Sequence, residues 1–247
     1  MDIYEVKSMG SRIHGNEYVG RGIVIGMIED ASKCAIAYFI MGRSENSRNR
    51  VFKKEGDNLT IYPFDESKVE DPSLIIYNPV MVSGNKTIVT NGDQTTTIFD
   101  KIDVDKAAGK CTCYAFEKAL KTREFEPDSP NWTPRISGIV KVTDEEFSYK
   151  LSILKSADRE GTACNRFTFD YEPLPGVGHF IHTYVCDGNP IPTFQGEPER
   201  VTIPDDIDEF YDDIWNNLDA NNKISLYVRY IDLETGKYDD RLINKNK

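Results

Sequence analysis

Two unbroken apolar runs stand early in the chain, residues 22–28 (GIVIGMI) and 34–41 (CAIAYFIM). Both are rich in β-branched and aromatic side chains, and Asp30-Ala31-Ser32 between them is turn chemistry, so a β-hairpin is predicted. Further strands are predicted at 59–62, 74–82, 86–90 and 95–99, with Ser83-Gly84-Asn85 and Asn91-Gly92 as turns between strands. The period then changes. From Lys106 to about Arg123 helix formers dominate, with Tyr114, Ala115, Ala119 and Leu120 available for one face and Gly109 weakening the first turn. Strand patterns return at 136–142, 148–154, 167–171 and 180–186. The clearest helix is 205–218: Ile207, Phe210, Tyr211, Ile214, Trp215 and Leu218 form one stripe, and Asp205 and Asp206 lie at its positive end. A last strand is predicted at 224–231.

This order lacks alternating βα units, which argues against a doubly wound parallel sheet. Two mainly antiparallel sheets with helices outside them fit, an α+β class. No repeat, low-complexity segment or linker interrupts the chain, so one domain over 1–247 is expected.

A formal charge of −11 argues against a nucleic-acid partner, because phosphate backbones require a basic surface. A small anion needs only a local cluster of cations. No apolar run is long enough for a membrane helix, and MDIYEVKSMG lacks the apolar core of a secretion signal, so a cytoplasmic location is expected. The five cysteines are irregularly spaced and offer no zinc clip; reduced, mostly buried thiols and no metal site are predicted.

Four segments can carry chemistry. Met41–Lys54 holds Arg43, Arg48, Arg50, Lys53 and Lys54 against Glu45 alone, directly after a very apolar strand; such a loop can grip phosphate, or simply be solvated. Asn91-Gly92-Asp93-Gln94-Thr95 could bring backbone amides close to a ligand, or be an ordinary turn. Residues 124–137 (EFEPDSPNWTPRIS) combine three prolines with Glu124, Glu126, Asp128, Trp132 and Arg135; this is either a stiff crossover or a rigid mount for a carboxylate. Finally, 176–184 (GVGHFIHTY) holds two of the three histidines. Strand alternation puts Phe180, His182 and Tyr184 on one face, with His179 on the other, which makes a poor metal pair. No nucleophile elbow is present.

These segments, in this order, resemble the archaeal-type IMP cyclohydrolases. The resemblance is carried by Tyr18-Val19-Gly20-Arg21, Ala37-Tyr38, Arg43-Ser44, Asn49-Arg50, Tyr77-Asn78 with Val80, Asn91-Gly92 and Thr133-Pro134-Arg135-Ile136, with Thr183-Tyr184 a weaker match. It covers roughly 18–203. It implies a four-layer αββα sandwich like that of the N-terminal-nucleophile hydrolases, without their self-cleavage. It also implies a cofactor-free cyclisation of a formamidoimidazole carboxamide ribonucleotide to IMP with loss of water. The implied partner is a small purine nucleotide, and homo-oligomerisation is left open.

By the same resemblance Tyr77 stands for the family's active-site tyrosine, donating to the formyl oxygen. Glu126 stands for its catalytic glutamate, preferred to Glu124 on spacing to Thr133-Pro134-Arg135. Arg43 and Arg50 are expected at the phosphate or base, and Arg21, Asn91, Asp93 and Arg135 along the pocket. Several departures stand out: residues 1–17 precede the match, one residue is inserted within 45–48, Phe39 replaces an arginine of the archaeal form, and the chain after 203 has no secure counterpart. They leave two rivals: a non-catalytic purine-nucleotide binder, and an amidohydrolase using Cys164 or Cys186.

Overall fold

The computed structural model describes residues 2, 4–69, 76–143 and 147–246. Thirteen described strands form two sheets in which all neighbouring strands run antiparallel. The six-stranded sheet contains β1 (Arg21–Met27), β2 (Lys33–Met41), β10 (Val177–His182), β11 (Glu199–Thr202), β12 (Lys223–Asp232) and β13 (Tyr238–Asn244), in the order β11-β10-β1-β2-β12-β13. The seven-stranded sheet runs in sequence order: β3 (Val51–Glu55), β4 (Asn58–Tyr62), β5 (Val80–Ser83), β6 (Lys86–Thr90), β7 (Arg135–Val142), β8 (Phe147–Ser156) and β9 (Cys164–Tyr171).

The sheets face each other across one apolar core. Ile23 and Ile25 of β1 and Cys34, Ile36, Tyr38 and Ile40 of β2 meet Phe52, Ile61, Val89, Ile136 and Leu151 from the opposite sheet. Intervening residues (Val24, Ala35, Ala37, Phe39) point the other way, into a second core under α1 (Met9–Ile13) and α5 (Ile207–Asn217). Both faces of β1 and β2 are therefore dry, which is why their sequences read as continuous apolar runs instead of alternating ones. The single-turn helix α2 (Glu45–Arg48) lies in the basic loop, and a third core lies between the far face of the seven-stranded sheet and helices α3 (Gln94–Ala107) and α4 (Ala115–Leu120). An α+β architecture of two antiparallel sheets with few helices follows, as the pattern predicted.

Several expectations fail locally. Residues 95–99 are the first turns of α3, not a strand. Thr95, Thr96 and Thr97 are β-branched, but the Thr95 hydroxyl turns back onto Thr90 Oγ1 (2.6 Å) and Gly92 O (2.9 Å), satisfying groups at the helix start. Asn91-Gly92 is accordingly a strand-to-helix junction. The predicted helix over 106–123 is two pieces, broken where Gly109 adopts φ +65°. Within 74–82 only the part from Val80 is strand, while residues 74 and 75 lie outside the described residues. The predicted 180–186 strand ends at His182, and β13 follows the strand taken as last. The thiol reading also needs correction: Cys111 and Cys113 are disulfide-bonded, Cys34 is buried, Cys164 half-buried and Cys186 exposed. The α5 helix matches its prediction, capped by Asp206, whose carboxylate accepts from the N–H groups of Asp208 and Glu209.

Candidate active site

At one end of the inter-sheet space, β1, β3 and β7 begin while β2, β4 and β6 end. Alternation along β1 points Arg21 the same way as Ile23 and Ile25, into that space. Arg50 immediately precedes β3 and shares the parity of Phe52, so it enters from the facing sheet. Between them stands Tyr38, fully buried on β2, with its ring stacked on Phe52 at 5.6 Å. Its hydroxyl lies 3.1 Å from that of Tyr77. Tyr77 is held by its carbonyl, which accepts from Ile61 N–H (3.0 Å), and by the next residue, where Asn78 Oδ1 accepts from Thr60 (2.8 Å).

Glu126 reaches the same end from the proline-rich connection. Its backbone N–H donates to Thr133 O at 2.9 Å, and its carboxylate makes no direct ion pair among the described residues. The connection is pinned at Thr133. Asp128 accepts from both the Thr133 N–H (2.6 Å) and its hydroxyl, and Thr133 Oγ1 in turn lies 2.5 Å from the Tyr184 hydroxyl. Tyr184 stacks on Tyr18 at 5.7 Å, and the Arg43 guanidinium lies over the other ring of that stack, 5.2 Å from the Tyr18 centroid. Gly20 makes this packing feasible. It adopts φ +76°, and a Cβ there would stand 2.1 Å from Thr183 Oγ1 and 2.6 Å from the Tyr184 ring.

The electrostatics of the group are unusual. Burial works against the charge of Arg21, but the nearby oxygens of Tyr18, Glu126, Tyr77 and Tyr184 outweigh it, and the guanidinium is held above its ordinary pKa. Arg50 moves the other way: burial lowers it first, then the like charge of Arg21, with Tyr77, Glu126 and Tyr38 only partly restoring it. Both guanidiniums are sequestered, and the Nε of each has no hydrogen-bond partner among the described residues. Unpaired buried donors cost free energy, on the order of 1–3 kcal/mol each, unless a ligand satisfies them. Two cations with one nearby carboxylate make a site complementary to an anion or to developing negative charge.

The structure thus brings together Arg21, Arg50, Tyr77 and Glu126, with Arg43 at the rim behind Tyr18. There Arg43 donates to Asp187 and, at 2.9 Å, to Gly188 O. The other cations of the basic loop go elsewhere: Arg48 to Gly42 O and Asn222, and Lys54 to Asp240. Glu124 is two-thirds exposed and pairs with Arg166 at 3.5 Å.

Asn91, Asp93 and Arg135 form a separate cluster. Arg135 has the parity of Ile139, which faces the helices; it donates to Asp93 (2.7 Å) and Gln94 (2.8 Å), and Asp93 also takes Arg123 at 2.5 Å. Burial would raise the Asp93 pKa, but Arg135 and Arg123 prevail and hold it below the usual carboxylate value. Both polar atoms of the Asn91 side chain are engaged: Nδ2 donates to Pro134 O (2.8 Å), and Oδ1 accepts from Ile136 N–H (2.9 Å) and Gln94 (3.0 Å).

Three other sequence candidates resolve in position. Phe39 packs on Phe180 beneath the helices, so an arginine at 39 would point away from the inter-sheet cluster. His182 is buried with both ring nitrogens engaged, Nδ1 with Tyr184 O at 2.7 Å and Nε2 with Glu199 at 3.2 Å. The Cys164 thiol is pushed up by burial, with Sγ directed at Asn165 O, the opposite of thiolate activation. Sequence reasoning missed Tyr38 and Tyr18 as site residues. The available signal was a hydroxyl inside the otherwise apolar 34–41 run, since a buried Tyr hydroxyl usually seeks a partner. A cavity of about 340 Å³ lined by Lys86, Phe116, Ile139 and Lys150 lies on the helix-covered face, away from this cluster.

Comparison with known proteins bears on what such a cluster serves. The family model described as IMP cyclohydrolase-like protein matches residues 18–237. The chain belongs to this family. Among archaeal relatives of the IMP cyclohydrolase-like family, the chain is similar to the IMP cyclohydrolase of Methanococcus aeolicus, 28% identical over 170 residues, covering 68% of this chain and 75% of that protein. It is similar to that of Methanopyrus kandleri at 27% over 190 residues, covering 72% and 89% respectively. A shorter match, 32% over 123 residues, covers 50% of this chain and 57% of the Methanothrix thermoacetophila IMP cyclohydrolase. The family match takes in β1 to β12, including every residue of the inter-sheet cluster.

Proposed function

We propose that this chain is an IMP cyclohydrolase, closing the second ring of the purine from a formamidoimidazole carboxamide ribonucleotide. The observation that carries the reading is the convergence of Arg21, Arg50, Tyr77 and Glu126, with donors left uncommitted, in a member of this family. In this reaction the carboxamide nitrogen attacks the neighbouring formyl carbon, a C–N bond forms, and the formyl oxygen leaves as water. Both groups sit on one imidazole ring, so the enzyme's task is to hold them coplanar, move protons and stabilise the oxyanion.

Each residue has a place in this scheme. Tyr77 donates its hydroxyl proton toward the formyl oxygen. Glu126 accepts a proton from the carboxamide nitrogen and passes it to the formyl oxygen; the formamido nitrogen then gives up its own proton as the ring C=N bond forms, and that second proton completes the departing water. Arg21 and Arg50 stabilise the developing charge through their cationic guanidiniums, and Arg43 at the rim meets the phosphate. Asp93 and Arg135 stay in their own paired cluster and take no part; Asn91 acts indirectly, holding the Pro134-Arg135-Ile136 backbone, and Thr133, one residue earlier, anchors the Glu126 connection. The same reading takes the chain as one cytoplasmic domain with the four-layer sandwich of the N-terminal-nucleophile hydrolases. Helices on the outer faces of both sheets support that last point.

The test is incubation of the purified protein with the formylated ribonucleotide in the presence of a chelator. IMP should accumulate, because the proposed steps need only side chains. Absence of IMP, or turnover restored only by an added metal ion, overturns the reading; absence with tight IMP binding would point to a nucleotide-binding protein instead.

A further inference from the structure

Among the described residues, the Tyr38 hydroxyl has one hydrogen-bond partner. The side chain is 0% exposed, its ring is fixed against Phe52, and its hydroxyl meets only that of Tyr77, at 3.1 Å. A phenol has one proton to give. In this pair either oxygen could donate, and the surroundings decide between them. Tyr77 is only half-buried and opens toward the Arg21–Glu126 end, where a ligand oxygen can accept its proton. If Tyr77 instead donated to Tyr38, the buried Tyr38 proton would have no acceptor, a costly arrangement in a dry core. Burial also keeps Tyr38 neutral, pushing its pKa well above the ordinary tyrosine value; Tyr77 adds to that, and Arg21 and Arg50 only partly oppose it.

We infer that Tyr38 is a positioning residue, donating its hydroxyl proton to the Tyr77 oxygen so that the Tyr77 proton is aimed at the oxygen leaving the substrate. The relay runs one way, from Tyr38 to Tyr77 to ligand. No bond is made or broken at Tyr38; it fixes a rotor and strengthens its neighbour as a donor. The inference rests on the cyclohydrolase reading for the identity of the final acceptor, but not for the direction of the first hydrogen bond.

A double-mutant cycle with a spectroscopic readout tests it. Tyr38→Phe keeps the ring and its stack, so melting temperature should stay close to the parent's. Its kcat should fall roughly 5- to 30-fold while KM changes less than about twofold. Tyr77→Phe should fall further, and Tyr38→Phe/Tyr77→Phe should be no slower than Tyr77→Phe alone, because Tyr38 acts only through Tyr77. Independently of turnover, the ¹³Cζ resonance of Tyr77 in tyrosine-labelled protein should move on Tyr38→Phe. Additive kinetic losses, an unchanged kcat in Tyr38→Phe, or an unmoved Tyr77 resonance overturns the inference. A parent protein without turnover whose Tyr77 resonance still moves would sink the cyclohydrolase reading and leave the hydrogen bond standing.

Discussion

Two polar clusters lie near the same end of the molecule and are built in opposite ways. Around Asn91, Asp93, Gln94 and Arg135, each charged group is in a direct ion pair and the amide groups have partners: the Asn91 side chain alone makes three hydrogen bonds, and Asp93 binds two arginines. Around Arg21, Arg50, Tyr77 and Glu126, two sequestered guanidiniums repel each other; among the described residues, two Nε–H groups lack partners and a carboxylate stands without a direct ion pair. Satisfied groups stabilise a fold and leave nothing for a ligand. Unsatisfied ones destabilise it and persist where something else completes them. Residue type would not separate the clusters, since each mixes arginine with a carboxylate.

The largest test of this contrast is Glu126→Gln. If Glu126 moves protons between the carboxamide nitrogen and the departing oxygen, kcat should fall by roughly 10²–10⁴ while IMP affinity stays within about 1 kcal/mol. Glu124→Gln, altering a residue paired to Arg166 on the surface, should turn over like the parent. Steady-state kinetics on the two variants decides; the reverse outcome would move the proton-transfer role to Glu124.

A second pair of variants separates activity from stability. Asn91→Ala should cost about 2–4 kcal/mol of unfolding free energy, because it strands the Pro134 carbonyl, the Ile136 N–H and a Gln94 donor in the interior. Arg50→Met should abolish most turnover yet leave stability unchanged or higher, since it removes a buried charge already repelled by Arg21. Urea unfolding of both, beside their kcat, reads the result. A destabilised Arg50→Met with Asn91→Ala unaffected would reverse the assignment of the clusters.

At the rim, Arg43→Ala should weaken nucleotide binding by about 1.5–3 kcal/mol and nucleoside binding much less, if a charge-assisted contact to phosphate is lost. Equal losses in calorimetry would remove Arg43 from the phosphate.

The smallest effect on turnover concerns a satisfied group elsewhere between the sheets. His179 meets the Tyr149 hydroxyl at 2.7 Å and stacks on Tyr171; burial, then the Arg200 charge, pushes its pKa down from 6.5 to about 4. The unfolded chain therefore binds a proton that the folded one refuses. Stability should be full above pH 6.5 and fall as pH drops toward 4, by about 2 kcal/mol at roughly pH 5. His179→Gln should flatten this slope in unfolding titrations while kcat stays near the parent's.

Sequence pattern captured the sheets well because both faces of β1 and β2 are dry and apolar periodicity records burial. It failed at 95–99, where three threonines favoured a strand but the Thr90–Gly92–Thr95 hydrogen bonds start a helix. Local composition cannot register bonds closed by the fold. The site was legible one residue at a time: Arg21 and Arg50 could be named, but that they approach each other while Arg135 faces away depends on strand parity in two different sheets. Tyr38 escaped because a phenol in an apolar run reads as core.

One small contact outside the family match carries a consequence for the site. Asn244 of β13 uses its side-chain amide as a backbone substitute, taking the Phe52 N–H at 2.7 Å and giving to the Phe52 carbonyl at 3.0 Å, and Asn246 reaches the Arg48 carbonyl at 2.7 Å. The last strand is thereby buttoned to the stretch that presents Arg50. Removing residues 238–246 would undo that fastening and loosen the backbone on either side of Arg50, a perturbation of the site from a strand that contributes no side chain to it.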